Sequence, residues 1–171
     1  MKNLIIEKIV RVIKNKRKLE QLLELKITNR GKEVTLDGTP ENEYAGRQVL
    51  DALDQGFPFA EAISIKTENK ILEIVNIKDH TIKANLERIR GRIIGKGGKA
   101  LKTLSVLTDS AMELQENHVA IISNPENLER ATAALVAIIK GAKHGAVYKG
   151  LEKSMPKPIY DLGLREEEKR K

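Results

Sequence analysis

The stretch of sequence that decides the fold is Arg88-Ile89-Arg90-Gly91-Arg92-Ile93-Ile94-Gly95-Lys96-Gly97-Gly98-Lys99-Ala100-Leu101-Lys102. Ahead of the glycines, apolar side chains recur at helical spacing and predict one buried helix face. The opposite face carries Arg88 and Arg92, with Arg90 beside it. This helix is predicted to end at Gly95, and a second helix to begin near Gly98.

A Gly-x-x-Gly turn between two helices suits a nucleic-acid backbone. Without a Cβ in the way, a sugar–phosphate chain can approach the main chain closely, and the N–H groups that open the second helix then face its phosphates. Residues 83–102 contain seven basic residues and one acidic residue. We therefore predict RNA-binding residues of two kinds: Gly95, Gly97 and Gly98 for close approach, and Arg90, Arg92, Lys96, Lys99 and Lys102 for phosphate.

The chain contains one internal repeat. Thr39-Pro40-Glu41-Asn42 returns 85 residues later as Asn124-Pro125-Glu126-Asn127, and each copy predicts a helix start with proline at its first position. A strand pair precedes each start, and alternation predicts a further strand ahead of the second copy. The predicted strands are Leu25–Asn29, Glu33–Asp37, Ile71–Ile77, Ala111–Gln115 and His118–Ser123.

With Ile93-Ile94-Gly95-Lys96-Gly97-Gly98 between helices, and a hairpin and a long helix after it, the second copy resembles a KH domain. KH domains clamp about four nucleotides against the GxxG loop. In that family, aliphatic side chains and an adjacent strand edge floor the groove. By position the resemblance assigns these roles to Ile94 and to the strand 118–123.

The segment after the last KH helix narrows the resemblance. His144-Gly145-Ala146-Val147-Tyr148, followed by Leu151-Glu152, resembles the archaeal pre-ribosomal RNA processing proteins with two KH domains, whose eukaryotic members are small-subunit assembly factors. The match spans about residues 15–155. It implies a non-catalytic, single-stranded RNA-binding protein of ribosome assembly, acting near the end of the small-subunit rRNA. It also implies, as a partner, the endonuclease that trims that end.

The first copy departs from the family, because no glycine precedes Gly31. At the 85-residue offset the loop falls on residues 10–13, and a shifted alignment puts it on residues 14–17. Few residues remain ahead of these for a first strand. We expect an α+β fold of two tandem type I KH-like domains: a degenerate one over 1–60, a KH domain with its C-terminal helix over 66–154, and a flexible tail over 155–171.

Composition limits the other function classes. A net charge of +7 favours polyanionic partners, although solubility alone could explain it. The absence of Cys excludes disulfides and thiol nucleophiles, and three scattered His predict no metal site. No apolar run approaches membrane-spanning length. The expectation is a cytoplasmic protein that is not an enzyme and has no cofactor.

The sequence also allows other interpretations. The glycines match a dinucleotide fingerprint, but a strand should precede them. A protein-interaction scaffold is a second alternative.

The basic stretch around residues 11–18 is either a second RNA contact or a solvated helix face. His144 and Tyr148 share a helix face and are auxiliary candidates, either as structural residues, His144 as a helix C-terminal cap, or through stacking of RNA on Tyr148.

Overall fold

The structure, a computed structural model, describes residues 1–82 and 84–155. Its strands are β1 (Lys2–Ile5), β2 (Lys26–Arg30), β3 (Glu33–Asp37), β4 (Ile71–Asn76), β5 (Ser110–Gln115) and β6 (His118–Ser123). Its α-helices are α1 (Ile9–Leu23), α2 (Pro40–Gln55), α3 (Phe59–Thr67), α4 (Leu86–Ile94), α5 (Lys99–Thr108), α6 (Pro125–Lys140) and α7 (His144–Ser154). The expectation of an α+β fold is confirmed. Apart from Met155, the tail predicted to be flexible lies outside the described residues.

The strands form two antiparallel sheets of three strands each, one in each half of the chain. The first sheet has the order β1-β3-β2 and lies in the N-terminal half, residues 1–67. The second sheet has the order β4-β6-β5 and lies in the C-terminal half, residues 71–155. Each hairpin leads into a long helix, so the predicted repeat of a hairpin and a helix is confirmed.

The two long helices of the repeat begin and end alike. α2 begins at Pro40 and α6 at Pro125, where a missing N–H costs nothing because the first turn has no intrahelical acceptor. Gly56 and Gly141 follow the last helical residues with φ of 110° and 109°, the left-handed conformation typical of glycine after a helix. Local chemistry therefore sets all four ends.

The N-terminal half differs from the sequence-based expectation at its first strand. β1 is present and pairs antiparallel with β3, with Leu4 opposite Val34. Its four residues all pair with β3, and α1 begins four residues after the strand ends. α1 then runs without interruption through both positions where an aligned glycine loop would fall. One helix thus stands where the C-terminal half has α4, the glycine loop and α5.

A further helix, α3, was not predicted. The expected domain boundaries at residues 60 and 66 both fall inside it. Its buried Ala62, Ile63 and Ile65 belong to the core of the N-terminal half. Pro58 precedes its first residue, so the Gly-Phe-Pro-Phe segment ends one helix and begins the next.

β6 joins two hydrophobic cores. Val119 and Ile121 pack in the core of the C-terminal half, whereas Ala120 and Ile122 pack in the core formed by the N-terminal half. Side chains alternate between the faces of a strand, so helices of both halves cover the second sheet. This packing fixes the C-terminal half, and its glycine loop, relative to the N-terminal half.

Candidate nucleic-acid interface

The glycine loop, Gly95–Gly98, joins α4 to α5 through a single 3-10 turn over Lys96–Gly98. Gly95 has φ 73° and ψ −179°, Gly97 has φ 59°, and Gly98 has φ 76°. Side chains with a Cβ rarely adopt positive φ. The φ and ψ of Gly95 are essentially restricted to glycine, whereas the left-handed conformations of Gly97 and Gly98 favour glycine.

The three glycines serve two different purposes. A Cβ on Gly95 would lie 2.5 Å from the Cβ of Ala100 and 2.9 Å from its nitrogen, so Gly95 lets the end of α4 pack against the start of α5. A Cβ on Gly97 or Gly98 would meet no atom within 4 Å. These two glycines face open space, where a ligand can reach the main chain.

The start of α5 is suited to an anion. No side chain caps it, and its first turn contains no acidic residue. The first N–H groups of a helix lack intrahelical acceptors and carry the positive end of the helix dipole. Such an end favours a phosphate.

Three predicted phosphate contacts are exposed around this helix end. Lys96, Lys99 and Lys102 are all exposed, and none of the ion pairs within residues 1–82 and 84–155 involves them. Their charges therefore remain available to a bound anion. Ile94, the predicted support for bases, ends α4 beside the loop with 38% of its surface exposed.

The two predicted arginines are engaged within the protein. Arg90 donates to the side-chain oxygen of Asn117 at 3.2 Å and to the carbonyl of Glu116 at 3.4 Å, in the turn between β5 and β6. Arg92 donates to the carbonyl of Ala142 at 2.6 Å. Both side chains therefore brace α4 against neighbouring turns, whatever they also offer to a ligand.

The auxiliary pair, His144 and Tyr148, also makes structural contacts. The Nε2 atom of His144 lies 2.8 Å from the carbonyl oxygen of Arg92. His144 is the first residue of α7, and Arg92 lies in the last turn of α4. His144 therefore contacts the C-terminal end of α4, not that of its own helix. Its ring packs edge-to-face on Tyr148 with a centroid separation of 6.0 Å. Burial raises the pKa of the Tyr148 phenol.

The prediction that the strand 118–123 borders the groove with a free edge is wrong. β6 (118–123) is the central strand of its sheet, with β4 on one side and β5 on the other, so it has no free edge. The outer strand next to α5 in the chain is β5. Sequence pattern alone finds strands but does not order them, because pairing depends on contacts between distant segments.

One residue near this strand was not predicted. The Nζ atom of Lys8 donates to the side-chain oxygen of Gln115, the last residue of β5, at 2.6 Å. This contact places the start of α1 beside the end of β5. The two residues are 107 positions apart, so no local pattern could have indicated the pair.

The dinucleotide alternative lacks its structural context. Its fingerprint joins a strand to a helix, whereas here a helix precedes the glycines. Among the described residues, no group of three or more His, Asp or Glu could hold a metal ion. None of the helices in that part of the chain is long and apolar enough to cross a bilayer.

Comparison with known proteins agrees with this geometry. The family model for the second KH domain of PNO1, a eukaryotic type KH-domain of type I, matches residues 71–156. The KH domain-containing protein MJ0443 of Methanocaldococcus jannaschii is 30% identical over 130 residues, which cover 72% of this chain and 57% of that protein. This chain thus spans less than two thirds of that curated relative.

Two crystal structures from Pyrococcus horikoshii OT3 have a similar fold. One is Dim2p, with a TM-score of 0.82 and 29% identity over 89% of this chain and 98% of that one. The other is an a/eIF2alpha-aDim2p-rRNA complex, with a TM-score of 0.79 and 29% identity over 89% of this chain and 92% of that one. By family match, identity and fold, the chain belongs to the PNO1/Dim2 family of KH-domain proteins.

Proposed function

We propose that this protein is a non-catalytic RNA-binding protein that holds single-stranded RNA of the small ribosomal subunit, near the end of that RNA, at the glycine loop. Its role is in pre-rRNA processing and subunit assembly. Relatives bear the name pre-rRNA-processing protein PNO1, and the Pyrococcus horikoshii relative has been crystallised with rRNA.

One observation carries the proposal. Gly97 and Gly98 expose a left-handed main chain with open space above it, directly at the uncapped start of α5. Lys96 and Lys99 stand on either side of them and are exposed. This arrangement offers backbone N–H groups and positive charge to two or more consecutive phosphates, as a single-stranded nucleic acid presents them.

The division into two domains belongs to the proposal. Residues 71–155 form a type I KH domain, and residues 1–67 form a degenerate KH-like domain in which α1 replaces two helices and their loop. This assignment places α3 in the first domain because α3 packs in that core. Recognition then centres on the second domain, with β5 as the edge strand of its groove.

Two protein partners fit the same role. The complex of the Pyrococcus relative contains a/eIF2alpha, so we propose the archaeal initiation factor subunit as a partner. The family resemblance adds the endonuclease that trims the rRNA end. Both partners would act while this protein holds the RNA, as expected of an assembly factor. No catalytic group of this chain is then required.

The test is RNA binding by a variant with anions in the loop. Lys96→Asp with Gly97→Asp places two carboxylates where phosphates should lie, and we expect affinity for a single-stranded oligonucleotide of the small-subunit rRNA 3′ end to fall at least about 100-fold. Like charges brought together across an interface cost several kcal/mol. Fluorescence anisotropy measures the affinity, and circular dichroism verifies folding.

The chain offers a matched control. Lys149 and Gly150 are adjacent, exposed and far from the loop in sequence, on α7, and a Cβ on Gly150 would meet no atom within 4 Å. Lys149→Asp with Gly150→Asp makes the same change of charge and should bind RNA nearly as well as the wild type. Unchanged affinity in the folded loop variant would falsify the site.

Salt dependence separates RNA binding from a protein-interaction scaffold. For single-stranded nucleic acid, log K falls with log salt concentration at a slope of about −0.7 per phosphate contacted. Three exposed lysines and the helix end predict a slope of about −2 to −3. A slope near zero, with tight binding to a protein partner instead, would favour the scaffold.

A further inference from the structure

The outer face of α5 carries an apolar stripe that the described residues leave uncovered. Val106 has 67% of its surface exposed, which is a large fraction for an apolar side chain on a packed helix. With Leu107, Thr103 and the lysines at 99 and 102, it lines a shallow concavity of about 340 Å³. These positions recur at i, i+3, i+4, i+7 and i+8, so they share one face of the helix.

The described chain leaves the molecule beside this stripe. Arg130 donates to the carbonyl of Ser154, the last residue of α7, at 3.2 Å and to the carbonyl of Leu107 at 3.3 Å. One guanidinium therefore ties the end of α7 to the end of α5. The residues that follow Met155 start next to the apolar end of the stripe.

The order of residues in the following segment matches the order along the stripe. Its four large apolar residues, Ile159, Tyr160, Leu162 and Leu164, precede the run of three glutamates at 166–168. Asp161 lies among the apolar residues, and Arg165 lies between the two groups. Starting from Leu107, the stripe likewise runs from apolar Val106 to basic Lys102 and Lys99. α5 is about 15 Å long at 1.5 Å per residue, whereas the twelve residues 155–166 reach at most about 40 Å. Length therefore permits the match.

We propose that residues 159–168 bind along the outer face of α5, with the apolar residues on Val106 and Leu107 and the glutamates near Lys99 and Lys102. Since Lys99 and Lys102 also belong to the proposed RNA site, the segment competes with RNA for them. The competition rests on the proposed function, whereas the binding of the segment does not. Lys169-Arg170-Lys171 follow the glutamates and would attract RNA, so the experiment must separate the two effects.

Disulfide trapping tests the contact without RNA. The chain has no cysteine, so Val106→Cys with Leu162→Cys introduces a single possible pair. Under mild oxidation we expect a rapid intramolecular disulfide. The control is Val10→Cys with Leu162→Cys, because Val10 is 58% exposed on α1. Equal rates for the two pairs, or disulfide-linked dimers that vanish on dilution, would overturn the proposal.

RNA affinity tests the competition. We expect a chain ending at Met155 to bind single-stranded RNA about fivefold more tightly than the full chain. Val106→Ser should produce most of that gain in the full chain and none in the shortened one, while Val10→Ser changes neither. Weaker binding after shortening would show that the basic residues hold RNA and would overturn the competition. No binding by either chain would instead refute the proposed function and leave the trapping result standing.

Discussion

The guanidinium of Arg92 and the backbone carbonyl of Ala142 form a hydrogen bond of 2.6 Å. The bond ties the helix that leads into the glycine loop to the turn between α6 and α7. In return, the ring of His144, the first residue of α7, lies 2.8 Å from the carbonyl oxygen of Arg92. The loop is thus held at its α4 end by two reciprocal contacts with the C-terminal helices.

Because of these contacts, we expect Arg92 and Lys99 to have different roles, although both were predicted to bind phosphate. Arg92→Ala leaves the Ala142 carbonyl without its donor, and we expect the free energy of unfolding to fall by about 1–3 kcal/mol. Lys99→Ala removes only an exposed side chain and should change it by less than about 0.5 kcal/mol. Urea unfolding measures both.

RNA titrations should then show the reverse order. Lys99→Ala should weaken binding and lower the salt slope by about 0.7, the value of one phosphate on a single strand. If Arg92→Ala instead weakens RNA binding with no loss of stability, Arg92 contacts phosphate directly and its bond to Ala142 is dispensable.

The glycines of the loop should differ in what they contribute. Gly95→Ala forces a Cβ to within 2.5 Å of the Ala100 Cβ at a backbone conformation with φ 73°, and we expect a loss of about 3 kcal/mol or more from strain and overpacking. Gly97→Ala meets open space, so only the left-handed conformation costs energy, about 1–2 kcal/mol. Thermal unfolding of the two variants measures the difference.

A third glycine serves as the control. Gly91 lies within α4, is exposed, and a Cβ there would meet nothing within 4 Å. Gly91→Ala should stabilise the protein by up to about 1 kcal/mol, because alanine is the better helix former. Equal losses for Gly95→Ala and Gly97→Ala would contradict the close-approach explanation.

The sequence indicated much of this site because its determinants are local. Helix ends at proline and glycine, the glycine loop, and its basic frame are properties of neighbouring residues. By contrast, the bond from Arg92 to Ala142 spans 50 positions, and β1 exists only because β3 pairs with it. The order of strands, which makes β5 rather than β6 an edge, likewise follows from contacts that no local pattern contains.

Tyr148 gives a pH-dependent test of its structural role. Burial raises the pKa of its phenol above the ordinary value of 10.0. The folded pKa thus exceeds the unfolded one, so this contribution to stability is fully present below about pH 10 and is lost as the pH rises through the folded value. We expect wild-type stability to decline more steeply between about pH 9 and 11 than that of Tyr148→Phe.

RNA binding by the same variant completes the test. Phenylalanine keeps the aromatic face, so Tyr148→Phe should retain RNA affinity whether or not a base stacks there. Tyr148→Leu keeps apolar volume but loses the aromatic ring. A large loss of affinity in Tyr148→Leu alone would assign Tyr148 to base stacking, whereas unchanged affinity would leave it a structural residue.

The two faces of β6 predict that the halves of the protein unfold together. Ile121 and Ile122 are 0% and 1% exposed and belong to different cores. We expect Ile121→Ala and Ile122→Ala each to cost about 2–5 kcal/mol, with one unfolding transition in both variants. If the C-terminal half were stable without the N-terminal half, Ile122→Ala would cost little free energy of unfolding.

A fragment of residues 68–155 extends this argument. Without the N-terminal half, the second sheet would expose the apolar face formed by Leu72, Ala111, Ala120 and Ile122. Exposed apolar patches of this kind bind dyes and promote association, so the fragment should bind the dye ANS and unfold at lower urea than the full chain. A fragment as stable as the full chain, with its glycine loop still binding RNA, would show that the N-terminal half is separable. In that case the N-terminal half would cover the outer face of β6 without stabilising the second sheet. Ile122→Ala should then leave the fragment's stability unchanged.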